Sequence, residues 1–472
     1  LRDALEAWID THSPQIIAAT QEVLRIPSVK DPTTVGANAP FGRSLSDALD
    51  HTLSLCRDLG MHTENFAGFA GHAEFGAGDE IVAVLGHLDV VPVGKDWTYD
   101  PWGAKIQDGW IFARGSSDDK GPTFAALFGA KAVLDITRTL DIPLTRRVRL
   151  IFGCDEESEW KCMAHYFGEA GQAKPTVAFT PDADFPLVYA EKGSFTAIVE
   201  QKIALSPSAL YIVSFNSGLR PNMVPDEATA LLAGDADALD LAAHVLAEVA
   251  DISVQPVPGG LLVHASGISA HGATPQEGVN AAVKLMRALT SNSSAFDALS
   301  GADFTWMDDL ARRVAPDGSA VGIAGTDGIG TPLTSNLGIV TYNEGILRAT
   351  FNIRYPVTWN GEETIATFVN SLGSTGWQLA HVSHTPSLYV PKDEEPVKTL
   401  LRVYREHTGD LREPHAIGGR TYATSVAPVG VAFGPSMAGD PDTAHKADER
   451  FSIERLLNAA KIYAHAIYEL AK

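Results

Sequence analysis

Two histidines and a set of carboxylates stand in this chain at the ends of apolar runs, ahead of a helical run and in a Gly/Pro/Asp-rich loop. His87 follows the run 81–85 and Gly86, with Asp89 two residues on. Asp118 and Asp119 precede Lys120-Gly121-Pro122. Asp155-Glu156-Glu157 follows the run 148–152, and Asp182 follows Val177-Ala178-Phe179-Thr180-Pro181. His445 lies in Ala444-His445-Lys446-Ala447-Asp448-Glu449. Imidazole nitrogen and carboxylate oxygen are zinc ligands, and two-metal hydrolases hold their ions roughly 3.5–4 Å apart. Five ligands and one spare carboxylate suit such a site. The spare group can serve as general base toward a water whose pKa zinc lowers to about 7. Asp89 is placed to accept the second imidazole N–H of His87 and so fix its tautomer.

Each residue taken singly has an ordinary explanation. A histidine after a strand is usually a hydrogen-bonded rim residue, and Asp118-Asp119 suits the acidic N-terminus of a helix. Asp155-Glu156-Glu157 reads as a solvated acidic run, and Asp182 as a turn residue. All of these would have to hold at once, and the joint pattern favours a metal site.

The elements that position these groups come from periodicity. Residues 81–85, 148–152 and 177–179 are apolar runs of strand length, as expected for strands buried on both faces. In open α/β sheets ligands bind beyond the carboxyl ends of strands, where His87, Glu156 with Glu157, and Asp182 would gather. Helices are expected over 1–24, 44–59, 123–137, 396–407 and 452–470, with a strand at 429–433. Between them the texture changes. Strands are expected at 194–203, 209–215, 222–232, 260–266, 336–342, 346–353 and 378–383, and helices at 237–249, 279–289 and 362–372. The sixth and fifth of those strands form a hairpin around Asn343-Glu344-Gly345. The fold expected is α/β: a catalytic domain with a mixed central sheet flanked by helices, residues 1–190 and 388–472. A large α+β lid of two similar halves, 191–387, interrupts it.

Net charge is -22, from 36 Lys+Arg against 58 Asp+Glu. That balance argues against nucleic acid or an anionic membrane as partner, since either calls for a basic patch. Three cysteines, Cys56, Cys154 and Cys162, form no disulfide framework. The opening 24 residues are amphipathic and carry no signal-peptide core, and no apolar run reaches the ~20 residues of a membrane span. A cytoplasmic protein is expected.

Gly86-His87-Leu88-Asp89-Val90-Val91-Pro92, Gly115-Ser116-Ser117-Asp118-Asp119-Lys120-Gly121 and Asp155-Glu156-Glu157 resemble the co-catalytic zinc exopeptidases of the aminoacylase/carboxypeptidase G family. The fuller resemblance is to PepV-type, carnosinase-like (Xaa-His) dipeptidases. It extends through Phe179-Thr180-Pro181-Asp182-Ala183-Asp184-Phe185-Pro186, Glu191-Lys192-Gly193, Pro221-Asn222-Met223-Val224-Pro225, Ser269-Ala270-His271-Gly272 and Asn352-Ile353-Arg354-Tyr355-Pro356.

The resemblance implies two divalent metal ions, zinc first, with manganese and cobalt as alternatives. His87 and Asp182 would hold one ion, Glu157 and His445 the other, and Asp118 would bridge, followed by a non-proline cis peptide. Glu156 would be the base, with Asp89 behind His87. His271 would polarise the scissile carbonyl, Arg354 would clamp the substrate's carboxylate, and Asn222 would support that end or the reacting centre. Gly418 and Gly419 would turn main-chain N–H groups toward that carboxylate, although Arg420 stands where a small residue is expected. The implied reaction is hydrolysis of unblocked L-dipeptides by a monomer, with hydroxide attacking a metal-polarised carbonyl. An N-acyl-amino-acid deacylase with the same metal site is the rival within hydrolases, and a catalytically silent binding protein the rival outside them.

Overall fold

The computed structural model describes residues 1–204, 209–291, 304–373 and 376–472. These form two compact units. One comprises residues 1–190, 388–416 and 420–472; the other comprises 191–387 with 417–419.

The first unit is built on a mixed sheet. Its strands are β1 (His62–Phe66), β2 (Ala70–Phe75), β3 (Ile81–His87), β4 (Arg147–Gly153), β5 (Val177–Thr180) and β6 (Val188–Glu191), with short strands at Leu388–Tyr389, His415–Ile417 and Gly430–Ala432. The order is β1-β2-β4-β3-β5, then Gly430–Ala432, β6 and Leu388–Tyr389. β4, β3, β5 and Gly430–Ala432 run parallel, whereas β1, β2 and β6 are antiparallel to their neighbours. All seven residues of β3 are buried, which explains its unbroken apolar run.

Helices α1 (Arg2–Leu24), α2 (Arg43–Asp58) and α3 (Lys120–Thr139), with Glu395–Thr408 and Ile453–Ala471, flank this sheet. Helix α3 is buried on almost every side, because α1 and Ile453–Ala471 both pack on it. Gly129 permits that crossing: a Cβ there would lie 2.9 Å from the Ala464 nitrogen.

The second unit is an eight-stranded, wholly antiparallel sheet. In chain order its strands are β7 (Gly193–Lys202), β8 (Leu210–Ser217), β9 (Glu227–Gly234), β10 (Ile252–Val257), β11 (Gly260–Ser266), β12 (Thr334–Asn343), β13 (Ile346–Tyr355) and β14 (Gln378–Thr385). Their spatial order is β10-β11-β9-β8-β12-β13-β7-β14. Alternation is clean along β7, where Phe195, Ala197 and Val199 join a core with Phe351, Ile353, Leu246, Leu285, Met286 and Phe368. Helices α4 (Ala236–Ala247), α5 (Ala281–Ser291) and α6 (Gly361–Leu372) supply part of that core.

The halves are related by topology across the β8–β12 pair. The run β8, β9, α4, β10 has the same plan as β12, β13, α6, β14. The third strand from the centre is β11 in one half and β7 in the other. The hairpin at Glu344-Gly345 turns through two positive φ angles, 50° and 77°, as a two-residue turn requires. The strand expected over 222–232 begins only at Glu227. Residues 221–223 are a loop, held by the Asn336 amide donating to the Pro221 and Met223 carbonyls, both at 2.8 Å.

Candidate metal centre

In the first unit, parallel pairing sets His87 level with Gly153. The end of β3 therefore meets the start of the Asp155-Glu156-Glu157 turn, while β5 ends one residue before Pro181-Asp182. Gly86 lets α3 approach this edge, since a Cβ there would stand 2.0 Å from Thr123 Oγ1.

His87 Nδ1 lies 2.9 Å from the main-chain oxygen of Asp89. In the neutral ring that N–H donates there, leaving the Nε2 lone pair facing carboxylates, the tautomer of a metal ligand. Nε2 lies 3.1 Å from Asp118 Oδ1 and 3.8 Å from Asp182 Oδ2. His445 Nε2 lies 3.0 Å from Asp118 Oδ2 and 2.8 Å from Glu157 Oε1. Asp118 thus turns one oxygen toward each histidine.

His87, Asp118 and Glu157 offer ligand atoms within 4.8 Å of one another, as do His87, Glu156 and Asp182. The Asp118–Asp119 peptide is cis. Asp119 faces inward: its Oδ2 accepts from the His87 main-chain N–H at 3.2 Å and the Thr123 hydroxyl at 2.7 Å. Burial pushes its carboxyl up to about 8.

The electrostatics call for added positive charge. Burial raises the Glu156, Glu157 and Asp182 carboxyls above the ordinary range. Burial would raise Asp118 too, but hydrogen bonds from His445 and His87 hold it low. The same contacts to Asp118 and Glu157 raise His445 to about 10. Among the described residues, neither Glu156 nor Asp182 carries a side-chain hydrogen bond to a protein donor. Four crowded carboxylates facing two imidazoles are a donor set suited to divalent cations.

The Asp89 carboxylate differs from expectation. The imidazole N–H goes to its main-chain carbonyl, and its Oδ1 lies 3.5 Å from Nδ1. Its two oxygens instead accept the main-chain N–H groups of Glu156 and Glu157, each at 3.0 Å. Asp89 therefore sets the turn that presents both glutamates. Asp155, the third acid of that run, is buried and accepts from Lys30 Nζ at 2.8 Å and the Lys161 N–H at 3.0 Å.

In the second unit, His271 Nε2 lies 3.3 Å from Arg354 Nη2, and Arg354 Nη1 donates to the Gly418 carbonyl. His271 also forms a β-bridge with Met223, and the Gly272 N–H donates to Asn222 O at 2.7 Å. Asn222, His271, Arg354 and Gly418 are thus brought together. Gly418 engages through its carbonyl rather than an N–H group. Gly419 lies beside it, while Arg420 stacks on Trp160 in the first unit, 4.7 Å from the ring centre. Lys192 is a buried cation near Arg354, and burial pulls it down to about 8. Sequence offered only its place in Glu191-Lys192-Gly193.

The carboxylate-rich cluster at the edge of the mixed sheet is the arrangement of a metal-dependent hydrolase. Residues 83–469 match the model of Peptidase family M20/M25/M40, and the chain belongs to that family. It is 40% identical over 466 residues to "Putative dipeptidase YtjP" of Bacillus subtilis (strain 168), with 97% of each chain covered. It is 34% identical over 467 residues to "Putative dipeptidase" of Staphylococcus epidermidis (strain ATCC 12228 / FDA PCI 1200), again with 97% of each covered. Among solved structures, aminoacylhistidine dipeptidase from Vibrio alginolyticus matches with a TM-score of 0.58 at 15% identity, covering 98% of each chain. Human carnosine dipeptidase 1 matches with a TM-score of 0.55 at 15% identity, covering 100% of this chain and 99% of that one. These two likenesses establish the fold.

Proposed function

We propose that this chain is a dipeptidase acting on unblocked L-dipeptides with two divalent ions, zinc by donor type. The observation that carries the reading is Asp118, whose two oxygens face His87 at 3.1 Å and His445 at 3.0 Å. In this reading Asp118 is shared, Asp182 joins His87, and Glu157 joins His445. Ions held there supply Lewis acidity toward the scissile carbonyl and lower the pKa of a water.

Glu156 takes a proton from the attacking water and passes it to the departing amine. Among the described residues its carboxylate accepts no hydrogen bond from a protein donor, which suits that task. Asp89 keeps Glu156 and Glu157 in place through their N–H groups. Arg354, with Asn222, receives the substrate carboxylate, and His271 stabilises the oxyanion. The Gly418 carbonyl aligns the Arg354 guanidinium, and Gly419 completes that loop. The protein works as a monomer in the cytoplasm; the described residues include no helix long and apolar enough to cross a membrane.

Assaying a free dipeptide against its N-acetylated form tests the substrate class. Turnover of the free form alone is expected; cleavage of the blocked form alone would replace this reading by a deacylase. Because Glu156 lies within ligand range of His87 and Asp182, E156A tests its role. Both ions retained with turnover reduced by roughly 10²–10⁴-fold marks a base; loss of an ion marks a ligand.

A further inference from the structure

Glu449 is a wholly buried carboxylate, four residues beyond His445, that the reaction leaves unused. Its Oε1 accepts the Ser117 N–H at 2.9 Å, the Ser117 hydroxyl at 3.1 Å and the Asp118 N–H at 3.2 Å. Its Oε2 accepts from Arg114 Nη1. Arg114 is buried too, donating to the Pro92 carbonyl at 3.4 Å and lying over the Trp97 ring at 5.3 Å. The main chains are joined as well, Ala113 N–H to Glu449 O at 3.0 Å. The segment carrying Asp118 and the loop carrying His445 are therefore tied through one residue.

Two ordinary roles fit poorly. Glu449 belongs to neither group of ligand atoms found among the described residues, and both its oxygens are already engaged by N–H and O–H donors. A simple buried ion pair needs only Arg114, yet three of the four hydrogen bonds run to the residues that aim Asp118. The Arg114 charge offsets that of Glu449, so the acceptors are gained without adding net negative charge to a centre that already holds four carboxylates.

We propose that Glu449 is a positioning residue for the metal centre, fixing the Ser117–Asp118 main chain so that Asp118 divides its oxygens between His87 and His445. This rests on the two-metal reading above. The test is Zn²⁺ titration of the apoprotein against a chromophoric chelator, for wild type, E449A, E449Q, R114M/E449Q and L49A. Wild type is expected to take two ions. E449A and E449Q should bind at least one of them roughly 10–100-fold more weakly.

R114M/E449Q should regain part of the loss, because the Gln carbonyl can accept from Ser117 and Asp118 once the guanidinium no longer opposes its amide. L49A, which opens a cavity in α2, should lower Tm and leave metal affinity unchanged. Should E449A fail to fold, E449Q and the double variant decide. Folded Glu449 variants with wild-type affinity for both ions, or an equal loss in L49A, would overturn the proposal. A wild type that takes fewer than two ions would instead overturn the two-metal reading.

Discussion

Asp118 and Asp119 are adjacent and oppositely employed. Asp118 faces both imidazoles, whereas Asp119 spends one oxygen on His87 N–H and Thr123 and buries the other. D118N should therefore lose tight binding of at least one ion, while D119N, whose carbonyl can accept the same two bonds, should keep both. Metal analysis after gel filtration checks the pair; equal loss in both would contradict this division. His87, Glu156, Glu157, Asp182 and His445 stood out in the sequence as candidates because each ends an apolar run or sits in a motif. Asp89's hold on the Glu156-Glu157 turn was not, since a hydrogen bond across 67 residues leaves no local spacing. Glu449 was hidden for a related reason: its hydrogen bonds to Ser117 and Asp118 span 332 and 331 residues.

At the scale of elements, the edge of β3 depends on a close approach to α3. G86A would place a Cβ 2.0 Å from Thr123 Oγ1 and 2.9 Å from its Cγ2. Overpacking of this kind costs about 1–3 kcal/mol, and a lowered urea midpoint should register it. A wild-type midpoint would mean that β3 and α3 can separate without cost.

A second element-level feature is pH-dependent. His407, on Glu395–Thr408, meets His465, on Ile453–Ala471, with Nε2 to Nδ1 at 3.1 Å. Burial, with Arg2 nearby, lowers His407 to about 4, and burial lowers His465 as well. A folded pKa below the unfolded value of about 6.5 means the unfolded chain binds protons first. This contribution to stability is complete above pH ~6.5 and is lost as pH falls toward 4. H407Q should flatten the Tm profile over that interval; an unchanged slope would remove the pair from the acid response. The buried parallel strands and amphipathic helices were readable from their periods. The edge strands β1 and β10 were not: His62-Thr63-Glu64-Asn65-Phe66 is largely exposed, and Pro256 interrupts the other.

For the whole molecule, the mixed sheet with its flanking helices and the separate antiparallel unit followed from the change in texture near residue 191. The relation between the two halves of the second sheet was only partly legible. Its third strand comes after the edge strand in one half and ahead of the whole plan in the other, as β11 and β7, so the halves are not successive copies along the chain. The 387 residues between Ala83 and Glu469, inclusive, that match the family model span both units, and the candidate cluster draws on residues from His87 to Asp182, with His445 in contact with Asp118 and Glu157.

The most direct measurement is reconstitution of the apoprotein with Zn²⁺ while hydrolysis of an unblocked L-dipeptide is followed. Turnover should rise to a plateau at two equivalents, with the N-acetylated dipeptide left intact. A plateau at one equivalent, or turnover independent of metal, would contradict the two-metal dipeptidase.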